Sequence, residues 1–312
     1  WIIDTDAGID DAQALIILLR HAHAFNCQGI TVSFGNVPLP QASKNVAEIL
    51  RLCEREDVPY YNGADRPVIG KLRTAQYYHG VDGLNGYWER KHGSNHPKLK
   101  APEETHAAQA ILKLADQSKP LNILTLGPLT NLAIALLLDS SLPSKLGRVV
   151  VMGGAVNARG NTTACAEYNI FADPEAAQIV FERLTTIELL SLECIKKPHH
   201  LFDEAFFEAY CAGTTPISEF IQMIVRHNEP ESRKSMCDPL TACVALDSTV
   251  VLDKFHQHCT VELKGERTRG MIVTDWEVSE LRLGDGRYPS NVAIIDELDM
   301  DKIKALFMAA IA

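Results

Sequence analysis

The stretch IIDTDAGIDDAQAL (residues 2–15) decides the fold, because a short apolar run passes through a glycine turn into a segment with helical periodicity. Two aspartates alternate at the strand end and so project to one side, and two more fall near the start of the helix. Gly8 permits the tight turn between the two elements. Four like charges repel one another, so their clustering needs a physical cause. The four residues are Asp4, Asp6, Asp10 and Asp11.

Short β-branched runs alternate with helix-period segments through the first two thirds of the chain, which is typical of βαβ units. Strands are predicted at residues 2–5, 29–34, 122–127, 149–154 and 186–192. Helices are predicted near residues 10–24, 40–56, 103–117, 129–138 and 174–184. Nearer the C terminus, helices are predicted around 216–228, 238–247 and 301–311, and strands at 259–263, 270–275 and 291–296.

This order of elements predicts an α/β fold. We expect an open, mostly parallel, twisted sheet with helices on both faces, Rossmann-like, plus a smaller C-terminal α/β portion. No stretch has the composition of a linker, so a single domain spanning residues 1–312 is expected.

Composition and charge argue against several classes of partner. The 40 acidic residues against 30 basic ones give a net charge of −10, which disfavours nucleic acid. No apolar run approaches the roughly 18 residues of a membrane span, and no signal-peptide pattern precedes Trp1. The cysteines lack a CxxC pair, which favours reduced thiols in a cytoplasmic protein without disulfides or a zinc site. They are Cys27, Cys53, Cys165, Cys194, Cys211, Cys237, Cys243 and Cys259.

The position of the four aspartates favours a binding site. In open α/β sheets, ligands bind beyond the carboxyl ends of the strands, where this cluster falls. Aspartate near a helix start is also ordinary capping, which explains one or two such residues but not four. A hard cation such as Ca²⁺ would relieve the repulsion, although the EF-hand spacing is missing. A divalent ion beside a spare carboxylate can activate water, which suggests hydrolysis.

Polar residues also follow the later strand-like runs, in the segments FGN, LGPLTN, AEYN and MCDP. Each alone is explained by turn or cap chemistry, since Asn after Gly is common in turns and Asp before Pro is a common helix N-cap. Together with the aspartates they form a specific set of oxygen and amide groups at one edge of the predicted sheet. The residues are Asn36, Asn131, Glu167, Asn169 and Asp238.

With these residues in place, the chain resembles the inosine-uridine type nucleoside hydrolases over nearly its whole length. The matching motifs are DTDAGIDDAQAL (4–15), SFGN (33–36), GADRP (63–67), HG (79–80), LGPLTN (126–131), VMGGA (151–155), GNTTACAEYNIFADPEAA (160–177) and CDPLTA (237–242). The resemblance implies a calcium ion at the bottom of a pocket, where it binds the ribose 2′ and 3′ hydroxyls and the attacking water. It also implies a homodimer or homotetramer that acts on a small nucleoside in a salvage role.

The resemblance assigns roles to individual positions. The calcium ligands would be the side chains of Asp6, Asp11 and Asp238 and the backbone carbonyl of Leu126, and Asp6 would also be the general base. Ribose hydroxyls would be held by Asp10, Asn36, Glu167 and Asn169, with Asn161 reaching toward the 5′ end and Asp4 behind the site. These residue types suit the reaction, because carboxylates stabilise an oxocarbenium-like ribosyl cation where its charge develops.

The leaving-group side departs from the family pattern, in which a histidine often precedes the last metal-binding aspartate. Here that position is Cys237, whose thiol would be mostly protonated at neutral pH and could donate a proton, or could simply be a small buried residue. His79 is the next candidate acid or base contact, and it falls in an irregular, aromatic-rich stretch, 62–100, of a length that favours function. Tyr77, Tyr78 and Trp88 could stack on a purine, so purine ribonucleosides are favoured over a broad purine and pyrimidine specificity.

Two other functions compete with this one. A haloacid-dehalogenase-like phosphatase also has a DxD pair after its first strand, but it would leave Asp10, Asp11 and Gly8 unexplained. A non-catalytic nucleoside-binding protein would be expected to lack a base or a metal ligand, yet Asp6, Asp11 and Asp238 are all present. A charged break at 226–236 is interpreted either as a solvated turn or as part of the site.

Overall fold

A computed structural model of the chain describes residues 1–117, 120–225, 236–276 and 289–312. The strands in these ranges are β1 (Ile2–Thr5), β2 (Gly29–Val32), β3 (Tyr60–Asn62), β4 (Leu121–Thr125), β5 (Leu146–Met152), β6 (Ile187–Leu190), β7 (Val251–Gln257), β8 (Cys259–Val261), β9 (Ile272–Thr274) and β10 (Val292–Leu298). Within the described ranges, eight of them form one sheet in the order β3-β2-β1-β4-β5-β6-β10-β7, and β8 and β9 form a separate pair.

The helices of the described ranges surround this sheet. They are α1 (Ile9–Arg20), α2 (Leu39–Leu52), α3 (Gln76–His79), α4 (Tyr87–His92), α5 (Ala107–Gln117), α6 (Thr130–Leu138), α7 (Tyr168–Ala172), α8 (Pro174–Arg183), α9 (Leu192–Ile195), α10 (Glu204–Tyr210), α11 (Pro216–Val225), α12 (Cys237–Leu246) and α13 (Met300–Ile311). Short 3-10 turns cover Leu142–Lys145, Pro198–His200 and Ser248–Val250.

The central sheet confirms the predicted α/β class. Within the described part of this sheet, strand pairs run parallel from β3 across to β10, and only the edge pairing of β7 with β10 is antiparallel. The predicted C-terminal strand at 291–296 belongs to this sheet as β10, so the part that remains outside it is the small β8–β9 pair. The central sheet is therefore larger than the sequence pattern indicated.

Two edge strands, β3 and β7, are not predicted by the sequence pattern. β3 has three residues, too few for a pattern, and most of the side chains of β7 are at least partly exposed, so it has no apolar alternation. The predicted helix at 216–228 is α11 as far as Val225, and the charged break at 226–236 lies outside the described residues except for Met236.

The core lies on both faces of the sheet. Alternate residues of β1 point in opposite directions, so Ile3 joins one buried cluster while Ile2 joins the other. Helix α1 is apolar around much of its circumference, and it packs directly against α12. This contact brings the first turn of α1 beside the first turn of α12 at the carboxyl ends of the strands.

Two further predictions concern the chain as a whole. The eight cysteines all fall in the described ranges, and no disulfide joins any of them. No helix in the described part of the chain has the length and apolar character needed to cross a membrane.

Candidate active site

A pocket of about 330 Å³ opens at the carboxyl ends of the central strands. Its walls come from the loops after β2, β4, β5 and β6, from the irregular stretch 62–100, and from the start of α12. The lining residues are Asp10, Asn36, Ala75, Tyr77, Tyr78, His79, Leu126, Met152, Asn161, Thr162, Glu167, Tyr168, Asn169, Leu192, Lys196, Cys237 and Asp238. Of the residues to which the resemblance gives a metal, ribose or leaving-group role, the structure thus brings together all except Asp6 and Asp11 as walls of one cavity.

Three carboxylates meet at the bottom of this pocket. Oxygens of Asp10, Asp11 and Asp238 all lie within 4.8 Å of one another. Asp10 and Asp11 come from the first turn of α1, and Asp238 comes from the first turn of α12, because those two helices pack together. Helix α12 begins at Cys237, so Asp238 lies inside its first turn and is not its N-cap.

The backbone between β1 and α1 is shaped to hold this group. Ala7 has a φ of 50°, in the left-handed region that a residue with a side chain seldom adopts. Gly8 follows, and a side chain there would overlap the amide of Asn36 and the ring of His79. The N–H of Gly8 donates to Asp11 Oδ2 at 2.9 Å. The glycine is therefore required by the close approach of two pocket side chains.

Asp6 lies behind the pocket wall and is fully buried. Its carboxylate accepts hydrogen bonds from the backbone N–H of Asn36 at 2.7 Å and from Asn36 Nδ2 at 3.0 Å. The same Nδ2 donates to Asp11 Oδ2 at 2.8 Å, so one amide links the two carboxylates. A side chain at Gly35 would overlap the Asp6 carboxylate, and one at Gly127 would come within 2.9 Å of Asp6 Cγ.

Burial and mutual repulsion raise the pKa of several of these acids. Loss of hydration raises the pKa of Asp6 and of Asp238 well above the ordinary value, and neighbouring aspartates add to both shifts. The pKa of Asp10 is raised to about 7, first by loss of hydration and then by the charge of Asp11. Without a counter-charge, the site therefore holds its full negative charge only at an energetic cost.

The donor set fits a divalent cation. Three carboxylates converge at one point, and Leu126, whose backbone carbonyl accepts Asn169 Nδ2, also lines the cavity. All of these donors are oxygens, which are the ligands that hard ions such as Ca²⁺ and Mg²⁺ take. A positive charge there would offset the raised pKa values described above.

The side of the pocket formed after β4 and β5 carries the candidate ribose residues. Glu167 is the N-cap of α7, and its carboxylate accepts the N–H groups of Asn169, Gly154 and Ile170 at 2.9, 2.8 and 3.2 Å. Burial raises the pKa of Glu167. Asn169 Nδ2 donates to the carbonyl of Leu126 at 2.7 Å. These contacts fix both side chains on rigid backbone.

Asn161 lines the pocket, as predicted, whereas Asp4 lies outside it. Asn161 uses its Oδ1 to accept the N–H of Tyr168 at 2.9 Å while lining the pocket. Asp4 does not line the pocket, and its Oδ2 accepts Thr31 Oγ1 at 2.6 Å and Asn131 Nδ2 at 2.8 Å. Asn131 is thus a support for Asp4 and not a pocket residue.

The opposite wall carries His79, Tyr77, Tyr78 and Cys237. His79 Nδ1 accepts the N–H of Ile9 at 3.1 Å, which leaves Nε2 as the donor of the neutral ring. Burial lowers the pKa of His79 to about 4. Tyr77 is 79% exposed and Tyr78 is 52% exposed at the pocket mouth, and Cys237 is partly buried. A neutral imidazole, two tyrosine side chains and a thiol therefore line this wall of the pocket.

Trp88, the third aromatic residue considered for stacking, lies outside the pocket. Its ring is buried, and its indole N–H donates to Asn45 Oδ1 at 2.8 Å. It packs the irregular stretch onto α2.

Several lining residues were given no role in the site from the sequence. Lys196, just after α9, is the only lysine or arginine among the described lining residues. Tyr168 donates its hydroxyl to the carbonyl of Gly35 at 2.8 Å and so joins α7 to the end of β2. The others are Ala75, Met152, Thr162 and Leu192.

A second group, His199, His200 and Glu297, also has the composition of a metal site. Its donor atoms are already engaged, since Lys197 Nζ lies 2.6 Å from Glu297 Oε1 and both ring nitrogens of His200 contact backbone groups. The group is a structural network.

Comparisons with known proteins find the same family by sequence. The family model described as inosine-uridine preferring nucleoside hydrolase matches residues 1–305. The pyrimidine-specific ribonucleoside hydrolase RihA of Salmonella enteritidis PT4 is 33% identical over 286 residues, which cover 88% of this chain and 88% of that protein.

Solved structures give the same picture. An inosine-guanosine nucleoside hydrolase has a TM-score of 0.88 at 30% identity, over 99% of this chain and 98% of its own. The plant nucleoside hydrolase PpNRh1 has a TM-score of 0.85 at 26% identity, over 100% of this chain and 98% of its own.

Proposed function

The chain belongs to the inosine-uridine preferring nucleoside hydrolase family, and we propose that its pocket hydrolyses ribonucleosides with Ca²⁺ bound and with a preference for purines. Family membership makes it an enzyme that acts on nucleosides. The observation that carries the proposal is the convergence of Asp10, Asp11 and Asp238 below a wall that holds Glu167 and Asn169. Neither the phosphatase nor the non-catalytic binding protein accounts for the family match together with this geometry.

The cation would be held by Asp6, Asp11, Asp238 and the carbonyl of Leu126, with Asp10 close enough to share it. A bound divalent ion lowers the pKa of water and orients sugar hydroxyls. Asp6, whose carboxylate is linked to Asp11 through the Asn36 amide, is proposed to accept the proton of the attacking water.

In the reaction, the water oxygen forms a bond to C1′ of ribose and the bond from C1′ to the base nitrogen breaks. One proton goes to Asp6, and another is needed on the departing base. Asp10, Asn36, Glu167 and Asn169 are proposed to bind ribose hydroxyls, with Asn161 toward the 5′ end. The surrounding carboxylates stabilise the cationic sugar as its charge develops.

The departing base is proposed to receive its proton or hydrogen bond from His79 or Cys237. His79 is neutral at pH 7 because its pKa is lowered to about 4, so Nε2 acts as a hydrogen-bond donor and not as an imidazolium acid. Cys237 offers a second donor from the start of α12.

A purine preference is supported by the exposed rings of Tyr77 and Tyr78, which offer apolar faces for a two-ring base. The solved inosine-guanosine nucleoside hydrolase, at 30% identity, is consistent with it. A specific observation favours the second candidate, a pyrimidine preference: the curated relative at 33% identity is named as pyrimidine-specific.

The deciding experiment measures release of reducing sugar from inosine, guanosine, adenosine, uridine and cytidine. The protein is treated with chelator and then given Ca²⁺ or Mg²⁺. We expect higher kcat/KM for inosine and guanosine, restoration by Ca²⁺, and loss of activity in Asp6→Asn. Faster uridine and cytidine cleavage would reverse the base preference, and full activity of Asp6→Asn would remove Asp6 as the base. Calcium affinity of Asp6→Asn and Asp10→Asn, measured by calorimetry, separates their shares in the metal site.

Two wider features also belong to the proposal. Association into a homodimer or homotetramer rests on the family resemblance, and sedimentation velocity tests it. A cytoplasmic location is supported by eight cysteines without a disulfide, and fractionation of cells that express the tagged chain tests it.

A further inference from the structure

Asn45, on α2, is fully buried and uses every hydrogen-bonding position of its side chain. Its Nδ2 donates to the carbonyl of Ala7 at 3.0 Å and to the carbonyl of Asp82 at 2.9 Å. Its Oδ1 accepts Trp88 Nε1 at 2.8 Å and Gln41 Nε2 at 2.9 Å. A primary amide has two donor hydrogens and two acceptor lone pairs, so no capacity is left over.

The two carbonyls bound by Asn45 belong to different walls of the pocket. Ala7 is the left-handed residue between Asp6 and Gly8, in what we call the aspartate turn, residues 6–11. Asp82 belongs to what we call the base-side segment, residues 76–92, which carries the candidate leaving-group contact His79.

The base-side segment is internally braced around Asp82. The Asp82 carboxylate accepts the backbone N–H groups of Leu84, Gly86 and Trp88 at 3.0, 2.8 and 3.1 Å. Gly83 packs so closely that a side chain there would come within 3.0 Å of Asn45 Nδ2. A movement of Asp82 relative to Asn45 would therefore carry residues 82–88 with it.

From these contacts we propose that Asn45 is a positioning residue that fixes the base-side segment against the aspartate turn, and so fixes the leaving-group contacts relative to the ribose site. The proposal rests on the proposed nucleoside hydrolysis. Asn45 is fully buried and does not line the pocket. It acts through two carbonyl groups, one on each wall, while the N–H of Ile9 bonded to His79 Nδ1 provides a second connection between the same walls.

Asn45→Asp at pH 8 is the sharpest variant, because it keeps the shape and the acceptor for Trp88 but replaces the donor with an oxygen that faces two carbonyls. Asn291→Asp is its matched control. Asn291 is also a buried asparagine, and its Nδ2 donates to two carbonyls, those of Phe181 and Cys259, at 2.7 and 2.8 Å. It precedes β10 and lies near the amino ends of the strands, away from the pocket.

Both variants are expected to lower the melting temperature. Only Asn45→Asp is expected to lower kcat/KM for inosine, by about tenfold or more, because the carbonyl groups of Ala7 and Asp82 lose the donor that holds the two pocket walls together. The inhibition constant of D-ribose reports the sugar site alone. It should stay within about threefold of wild type in both variants, because the loss of one whole ribose contact would change it by about tenfold.

Hydrogen exchange adds a readout that does not depend on catalysis. In Asn45→Asp, the amides of Gly86 and Trp88 should exchange faster by about tenfold, while Asn291→Asp leaves them at the wild-type rate. This measurement also separates the two proposals, since it tests the positioning role even if the wild-type protein releases no ribose. Should Asn45→Asp not fold, Asn45→Ser takes its place with the same expectations.

Three results would overturn the positioning role. The first is unchanged kcat/KM and exchange in Asn45→Asp despite a lower melting temperature, which would make the residue merely structural. The second is an equal loss of kcat/KM in Asn291→Asp, which would make the loss a general effect of destabilisation. The third is a parallel weakening of ribose binding, which would place the effect in the sugar site instead.

Discussion

Asn36 donates two hydrogen bonds to the same carboxylate, from its backbone N–H at 2.7 Å and its side-chain amide at 3.0 Å, and the acceptor is Asp6. The side-chain amide also donates to Asp11. A single residue after β2 thus orients two acids that would otherwise repel each other. Its role in this structure is to hold the acids, in addition to the ribose contact proposed for it.

Asn36→Ala should therefore lower kcat more than it raises KM. The variant keeps the backbone donor to Asp6 but removes the link between Asp6 and Asp11, and loss of one such oriented donor typically costs roughly 100-fold in rate. Steady-state kinetics on inosine measure it. Asn157→Ala, at an exposed position, is the control and should behave as wild type. A normal kcat with a raised KM would show that Asn36 serves substrate binding alone.

Removing one carboxylate from the bottom of the pocket should stabilise the protein in chelator while abolishing its activity. Asp238 is 3% exposed and faces Asp10 and Asp11, so Asp238→Asn removes repulsion as well as a charge that burial disfavours. With EDTA, we expect a higher melting temperature than wild type. With Ca²⁺, the order should reverse, because ligand binding stabilises only the protein that retains the site.

Differential scanning calorimetry with and without Ca²⁺ measures both effects. Asp301→Asn, an exposed aspartate on α13, is the control and should show the wild-type calcium shift. A calcium-induced rise of equal size in Asp238→Asn would contradict the assignment of this residue as a ligand.

The fold could be predicted because its signals are local. Apolar runs such as those of β1 and β4 are short, β-branched and followed by helical periodicity, and the carboxyl ends of parallel strands lie at one edge by geometry. The sequence alone is enough to place Asp10, Glu167 and Asp238 at that edge. Their motifs lie directly after strands or at the first turns of helices.

The parts that sequence could not supply depend on contacts between distant segments. The sequence does not distinguish Trp88 from Tyr77, because both are aromatic residues of one long irregular stretch. The hydrogen bond from Trp88 to Asn45 shows that Trp88 is the one that packs inward. Lys196 follows a helix of one turn, which has too few residues for a periodic pattern. The sequence predicts Asp6 as a pocket residue. In the structure, Gly35 and Gly127 lie so close to its carboxylate that Asp6 is behind the pocket wall.

His79 and Cys237 should be distinguishable by the leaving group of the substrate. Inosine needs a proton or hydrogen bond on its departing base, whereas 4-nitrophenyl riboside leaves as a stable anion. His79→Ala should lower kcat on inosine by about 100-fold and on the nitrophenyl riboside by less than about threefold, because one oriented hydrogen-bond donor to the charge that develops on the leaving group is worth roughly 100-fold. Cys237→Ala should show the same pattern if the thiol is the donor. Equal losses on both substrates would assign the residue to the sugar site instead.

Asp4 should make stability fall as pH rises. Burial raises its pKa from 3.8 to about 7 in the folded protein, so the unfolded chain loses this proton first. The contribution of Asp4 to the free energy of unfolding is complete below the unfolded pKa of 3.8 and is lost as pH rises toward about 7. The loss is up to about 4 kcal/mol. Other buried acids also have raised pKa values, so the difference between the slopes of wild type and Asp4→Asn, from chemical denaturation in EDTA between pH 4 and 8, measures this contribution.

Asp4→Asn should remove this dependence and be the more stable protein at pH 8. The amide keeps an oxygen for Thr31 and Asn131. Its new donor takes the place of Asp4 Oδ1, which has no hydrogen-bond partner among the described residues. Thr125, the residue paired with Asp4 on β4, has a buried Oγ1 that also lacks a partner there. Asp173→Asn offers the contrast. Both oxygens of that buried carboxylate already accept hydrogen bonds, from Val68, Thr130 and Ala176, so an amide there should lower stability at every pH. A lower stability of Asp4→Asn at pH 8 would show that Asp4 is ionised in the fold and stabilised by its two donors.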